Sequence, residues 1–355
     1  MATPRVTEHA PPGRLAAASP WLRTIGPGLL LCVALSVLAL LVADVEQAAF
    51  DYTLIEALVL ALLFGVAARN LIPRPAALLA GTGFAAKQVL EVGVGLLGAS
   101  IDLREVTAAG PALFVVALLG VAAGIGVSFL IGRGIGLGAK LAVLVAVGNA
   151  ICGNSAIAAV APVIRAEKKD VASAIALTAV LGVCLVLALP LAIALFDLSD
   201  YQYGVLAGMS VYAVPQVVAA AFPVSDLSGE VATLVKLTRV MLLGPVVVGF
   251  ALLYRARGEE GATKKGWNTY IPWFVVMFFV LAALRSTGIL SKGLAGQARD
   301  VSRILTILAM AGLGFGVELA SVRQVGARVG SAVICSLLFM TSFTLILIRL
   351  LGIDG

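Results

Sequence analysis

Apolar runs, many of them near the length that crosses a hydrocarbon layer, recur from residue 26 to residue 351. A spanning helix takes about 20 apolar residues, and no polar stretch between the runs is long enough for a soluble domain. With 61% hydrophobic and only 12% charged residues among 355, the chain carries more apolar surface than a soluble core needs. The expected fold is an all-α polytopic membrane protein: a disordered cytoplasmic tail over 1–25, then a single transmembrane domain over 26–355. The first run lacks a clear A-x-A cleavage site and reads as a retained helix, not a signal peptide.

The runs fall near 26–43, 53–70, 84–101, 110–132, 139–164, 171–196, 202–222, 230–254, 270–286, 301–318 and 329–351, which gives about 10–11 membrane segments. Two are irregular. GNAICGNSAIAAVAPVI (148–164) and GMSVYAVPQVVAAAF (208–222) place Gly, Asn, Ser, Gln and Pro inside apolar surroundings. Broken or re-entrant helices are expected near 148–155 and 208–216, because irregular backbone at membrane depth survives only inside protein or beside a water-filled cavity.

Loop charge bears on the choice. If both irregular segments dip in and return, the 25 Lys and Arg divide into sixteen cytoplasmic, six outside and three in the membrane. If both cross, the split is thirteen and nine. The positive-inside bias favours re-entry, puts the RAEKKD loop (165–170) in the cytoplasm, and does the same for the N-terminus through Arg5, Arg14 and Arg23. GVGLLGASIDL (93–103) resembles GLGFGVEL (312–319), and the charge count runs them in opposite directions. Weakly similar, oppositely oriented segments mark inverted repeats.

Several chemistries drop out. The single histidine, His9, lies in the polar tail, which removes His-based metal sites and Ser-His-Asp triads from the core. Cys32, Cys152, Cys184 and Cys335 all lie in apolar segments, so no disulfide framework is expected. No GxxxxGK[ST] loop occurs, and GRGIGLGAK (132–140) lacks the strand context of a nucleotide fingerprint. Neither an enzyme, a cofactor, a metal site nor a nucleic-acid partner is expected. Glu318 and Asp102 read as helix-end residues.

Within the first irregular segment, Asn154 or Ser155 is expected to cap a short helix that starts at Ala156 and ends near Pro162. In the second, Pro215 suits the first turn of another short helix. Half-helix N-termini meeting at the midplane favour an anionic group. The candidate substrate-binding set is Asn149, Cys152, Gly153, Asn154, Ser155, Ser210, Tyr212, Gln216, Lys236 and Arg239. The competing explanation for the small residues is close helix packing. Lys236 and Arg239, on VATLVKLTRVMLLGPVVV, have no acid on their helix beyond Glu230. Uncompensated intramembrane cations are functional candidates by default, with snorkelling to an interface as the alternative. Lys87 and Glu91, at i and i+4, are expected to neutralise each other on one helix face, with Glu91 also a candidate proton carrier.

CGNSAIAAVAPVI, VPQVVAAA, VKLTRVMLLGPVVV, IPWF (271–274) and AMAGLGFGVEL resemble the bacterial YeiH-type inner-membrane proteins, a sulfate-exporter family. The resemblance runs from about residue 54 to 350 and implies inverted repeats with crossed broken helices, as in the cation/proton antiporter and anion transporter superfamily. Many of those relatives carry a His-Glu pair where this chain reads Tyr212-Ala213; if that pair handles protons, coupling differs here. The expected function is secondary active transport, as an exporter, of a small inorganic or organic anion such as sulfate, sulfite or an organic sulfonate, across the bacterial inner membrane. A sodium ion or a proton is the candidate coupling partner, and a homodimer is an open assembly. A sodium or proton antiporter and an anion channel are the rival functions.

Overall fold

The computed structural model describes residues 20–50, 56–72, 76–101, 112–256, 272–320 and 325–353. Most of the expected tail, Asp102, the basic loop after Ala256 and Arg323 lie outside the described residues. Helix α1 (Pro20–Phe50) starts six residues before the boundary expected at residue 26.

Every regular element among the described residues is helical. After α1 come α2 (Ala57–Leu71), α3 (Ala76–Phe84), a π-helical turn (Ala85–Val89) and α4 (Leu90–Leu97). Next are α5 (Ala112–Gly134), α6 (Ala139–Ala150), α7 (Asn154–Val160), α8 (Lys168–Ala188) and α9 (Leu191–Phe196). They are followed by α10 (Asp200–Ser210), α11 (Val214–Ala221), α12 (Asp226–Met241) and α13 (Leu243–Ala256). The chain closes with α14 (Trp273–Ser286), α15 (Lys292–Phe315) and α16 (Ala327–Leu350). Five stretches are long and apolar enough to cross a membrane by length and composition, among them Leu113–Gly134, Lys168–Ala188 and Asp226–Ala256. Large apolar side chains such as Leu30, Leu118, Leu195 and Leu338 are exposed, as expected of a chain solvated by lipid.

The helices form two bundles. In one, α1, α2, the α3–α4 rod, α14 and α15 pack together. Small residues let their backbones touch. A Cβ on Gly81 would lie 2.1 Å from the Ile25 carbonyl oxygen, and one on Gly314 would lie 2.1 Å from that of Leu62. α15 and α4 run antiparallel: Ser302 bonds the Gly93 carbonyl, while Gly312 packs on Thr82 and Ala86. The similar segments that begin at Gly93 and Gly312 thus start on oppositely directed helices, as the charge count requires. The π turn widens the spacing between Lys87 and Glu91. No ion pair forms between them; Glu91 instead accepts the Trp273 indole N–H at 2.7 Å, and Lys87 is exposed. The expected self-neutralising pair is therefore corrected: it assumed α-helical spacing that the chain abandons there.

The second bundle holds α5, α6, α7, α8, α10, α11, α12 and α16. Here both irregular segments are hairpins. Lys140, at the start of α6, donates to the Arg165 carbonyl beyond α7 at 3.3 Å, so the chain returns to the face it entered. Asp200, at the start of α10, accepts from Ser228 on α12 at 2.7 Å, and Tyr203 donates to the Ala220 carbonyl at 2.8 Å, so the second segment also folds back. Helix α8, with 21 residues and a length of about 31 Å, crosses between them. The hairpins therefore enter from opposite faces. A capping box at Ser199 and Gln202 fixes the entry of the second, and Ser225 caps α12 through the Ser228 N–H.

Candidate functional site

The hairpins turn at Ile151–Gly153 and Val211–Ala213. Gly153 has φ +64 and ψ −122, a conformation that costs a side chain about 1–3 kcal/mol. Its N–H closes onto the Gly148 carbonyl at 2.8 Å, a wide C-terminal turn that lets α6 end abruptly. Helix α7 starts at Asn154, with Gly153 in the capping position and no side-chain cap. The expected Asn154 or Ser155 cap is thus replaced: Asn154 Oδ1 accepts from Thr178 Oγ1 on α8 at 2.8 Å. Pro215 does occupy the first turn of α11, and Gln216 Oε1 accepts from the Ala213 N–H at 3.2 Å.

Where α6 and α10 stop, their last carbonyls have no helical partner. Lys236 and Arg239 supply it. Lys236 Nζ donates to the carbonyls of Ile151 (2.6 Å) and Val211 (2.7 Å), one from each turn. Arg239 donates through Nε to Ala150 (3.0 Å), through one terminal nitrogen to Gly208 (2.8 Å) and Met209, and through the other to Asn149 (2.9 Å). Both side chains are 0% exposed, which rules out snorkelling. Lys236 lies ten residues into α12, about 15 Å along its axis, half the depth of a ~30 Å hydrocarbon core. The two cations clamp the hairpin tips together and stand at the negative ends of two helix dipoles. The placing of Arg239 in the substrate-binding set gives way to this: four of its five N–H groups are engaged by backbone.

In front of the tips, at the seam between the bundles, lies a cavity of about 270 Å³. Gly153, Asn154, Tyr212, Ala213 and Gln216 form its tip side, Thr178 and Ala179 of α8 a flank, and residues of α3, the π turn and the end of α15 the far wall. Of the expected residues, Gly153, Asn154, Tyr212 and Gln216 meet here. The others do not. Asn149 turns its amide toward Ser128 (3.2 Å) and the Ser336 carbonyl (3.0 Å), away on α5 and α16. Ser210 lies 3.4 Å from the Thr341 hydroxyl, also toward α16. Cys152 is buried and Ser155 exposed, and neither lines the cavity. Thr178 was missed. Its sequence signal, one hydroxyl in an apolar helix, is weak because such groups commonly bond their own helix, as this one also does to Ala174 at 3.0 Å.

Two side-chain amides with unpartnered hydrogens, those of Gln216 and Asn154, line the cavity. The Gln216 amide is oriented by its bond to Ala213, so its Nε2 is the end left without a partner in a residue 3% exposed. Asn154 accepts from Thr178 and keeps its amide hydrogens. The Tyr212 hydroxyl is buried without a partner. Among the described residues the buried charges are Lys236 and Arg239, and no Asp or Glu is buried.

A second cavity, of about 530 Å³, lies toward the opposite face, again at the seam. Its wall includes Glu56, Val218, Phe222, Asp226, Arg299 and Arg303. Arg299 on α15 pairs with Asp226 on α12 and so ties the two bundles, while Arg303 lies 3.4 Å from Glu56 within one bundle.

The chain matches the family described as "Conserved hypothetical protein 698" over residues 27–335. It is 44% identical to a UPF0324 membrane protein of Bradyrhizobium diazoefficiens over 324 residues, 91% of this chain and 92% of the relative. It is 45% identical to one of Brucella suis over 332 residues, 94% and 98% of the two chains. A Bacillus cereus UPF0324 membrane protein is 36% identical over 273 residues, 76% of this chain and 80% of that one. No solved structure gives a significant match.

Proposed function

The chain belongs to the "Conserved hypothetical protein 698" family, among the UPF0324 membrane proteins, and from that premise and the site geometry we propose that it is a secondary active transporter of a small anion. One observation carries the reading. Two side-chain amides with unpartnered hydrogens line the seam cavity, and the buried interior behind it holds two basic side chains and no acid among the described residues. Buried cations without carboxylates leave a positive interior that a dehydrated anion neutralises. A sodium or proton antiporter calls for the opposite, buried carboxylates to hold the cation. Cavities on both faces of the same seam suit alternating access, with the bundle of hairpins moving against its neighbour.

The face bearing Arg133, Lys140, Arg165, Lys168 and Lys169 is the cytoplasmic one on this reading, because positive charge favours that side. The 270 Å³ cavity, on the α3 and α15 ends nearer that face, is then the cytoplasmic vestibule, consistent with export of sulfate, sulfite or a sulfonate.

A thermal-shift screen of purified protein tests the proposal, using sulfate, sulfite, sulfonates and carboxylates with and without sodium. A true ligand at one hundred times its Kd stabilises by about 2.7 kcal/mol. Stabilisation by sodium or by pH alone, with every anion silent, would reject an anion transporter.

A further inference from the structure

The seam cavity has two unlike poles. On the tip side, Gln216 offers an unpartnered amide nitrogen in a residue 97% buried, at the N-terminus of α11, and Asn154 offers a second. On the opposite side the wall is Ala86, Leu313 and Val317, with Leu79 at its edge. The one hydroxyl there, on Thr82, donates back into its own helix to Leu78 at 3.0 Å. That wall offers an anion no free side-chain donor.

A divalent inorganic oxyanion carries charge on all sides, and losing water against an apolar wall leaves that side unsatisfied. The space also exceeds what such an ion fills: at about 270 Å³ it lies just under the ~300 Å³ at which pockets for drug-sized ligands begin. Resting on the anion reading above, we propose that the substrate is a monovalent organic anion with a short apolar tail, an alkanesulfonate or short-chain carboxylate. The head group takes the Gln216 and Asn154 amides. The tail lies along Leu313 and Val317.

The test is binding of a homologous series, methane- to octanesulfonate, with sulfate beside it, to purified protein by isothermal titration. Affinity should rise about fourfold per methylene over the first few carbons, the factor for burying a CH₂, and then stop rising as the cavity fills. Sulfate should bind more weakly than ethanesulfonate. Leu313→Asn should flatten the chain-length slope. Ala86→Leu, which fills the far wall without changing its polarity, should move the optimum to a shorter tail and covers the case in which Leu313→Asn fails to fold. Gln216→Ala should weaken every member of the series by one common factor. A flat series, or sulfate tighter than every alkanesulfonate, overturns the tail assignment and leaves anion transport standing. Failure of all anions, sulfate included, removes the anion reading itself.

Discussion

Arg239→Lys keeps the charge at the hairpin tips and changes only its shape. The arginine fork reaches carbonyls of Asn149 and Ala150 on one tip and of Gly208 and Met209 on the other. An ammonium has three donors on a single atom, on a shorter stem. It can serve one tip, which leaves about two buried carbonyls bare. Each bare carbonyl costs about 1–3 kcal/mol, so the variant should lose about 2–6 kcal/mol, a large share of a typical 5–15 kcal/mol stability. Lys236→Met, which strips the carbonyls of Ile151 and Val211, should lose a similar amount. Equilibrium unfolding in mild detergent, followed by Trp fluorescence and circular dichroism, reads both. The discriminating result is stability set against binding: an Arg239→Lys protein that unfolds like the parent yet no longer binds any anion would make Arg239 a ligand and refute the clamp.

Gly153→Ala should destabilise by about 1–3 kcal/mol, since φ is +64 and the new Cβ would lie 3.2 Å from the Tyr212 Cβ; a melt unchanged within error would contradict the turn geometry. Gly81→Val should cost at least the ~1–3 kcal/mol of overpacking, because the Ile25 carbonyl leaves a Cβ no room, and unaltered yield and melting would deny the close crossing. In a cysteine-free background, a cysteine at Ala166 should react with an impermeant thiol reagent from the same face as one at Lys140, and opposite labelling would make α6–α7 a crossing. Asp226→Asn removes the tie to Arg299; a part-exposed pair is worth up to about 1 kcal/mol, so labelling of a cysteine at Val218 from the second cavity's face should quicken up to about fivefold, and an unchanged rate would deny the tie a role in gating.

The hairpins were legible because their signals are local. Gly, Asn and Pro in an apolar run forbid a continuous lipid-facing helix, and the Lys and Arg count chose return over crossing. Lys236 and Arg239 were legible as costly residues, yet their partners were not. Those partners are main-chain carbonyls, which every residue carries, so no residue type announces them; the meeting depends on how α12 crosses two tips 85 and 25 residues away in sequence for Lys236. Asn149 and Ser210 stay out of the cavity for a different reason: they are near neighbours of cavity residues, but their side chains leave on the other side of a turn toward α5 and α16. The Lys87–Glu91 pairing failed because a π turn, invisible in AAKQV, changed the period on which it relied.

The clamp also sets an order on biogenesis. Helix α6 ends at Ala150, and Arg239 follows 89 residues later. At about 5–20 residues per second, the ribosome delivers the guanidinium roughly 4–18 s after the carbonyls it will hold. Over that interval the first hairpin tip is bare, and lipid offers it nothing. Stepwise partitioning of these helices into lipid would leave those carbonyls bare, so the stretch from α6 through α12 is expected to stay sheltered until its last helix arrives.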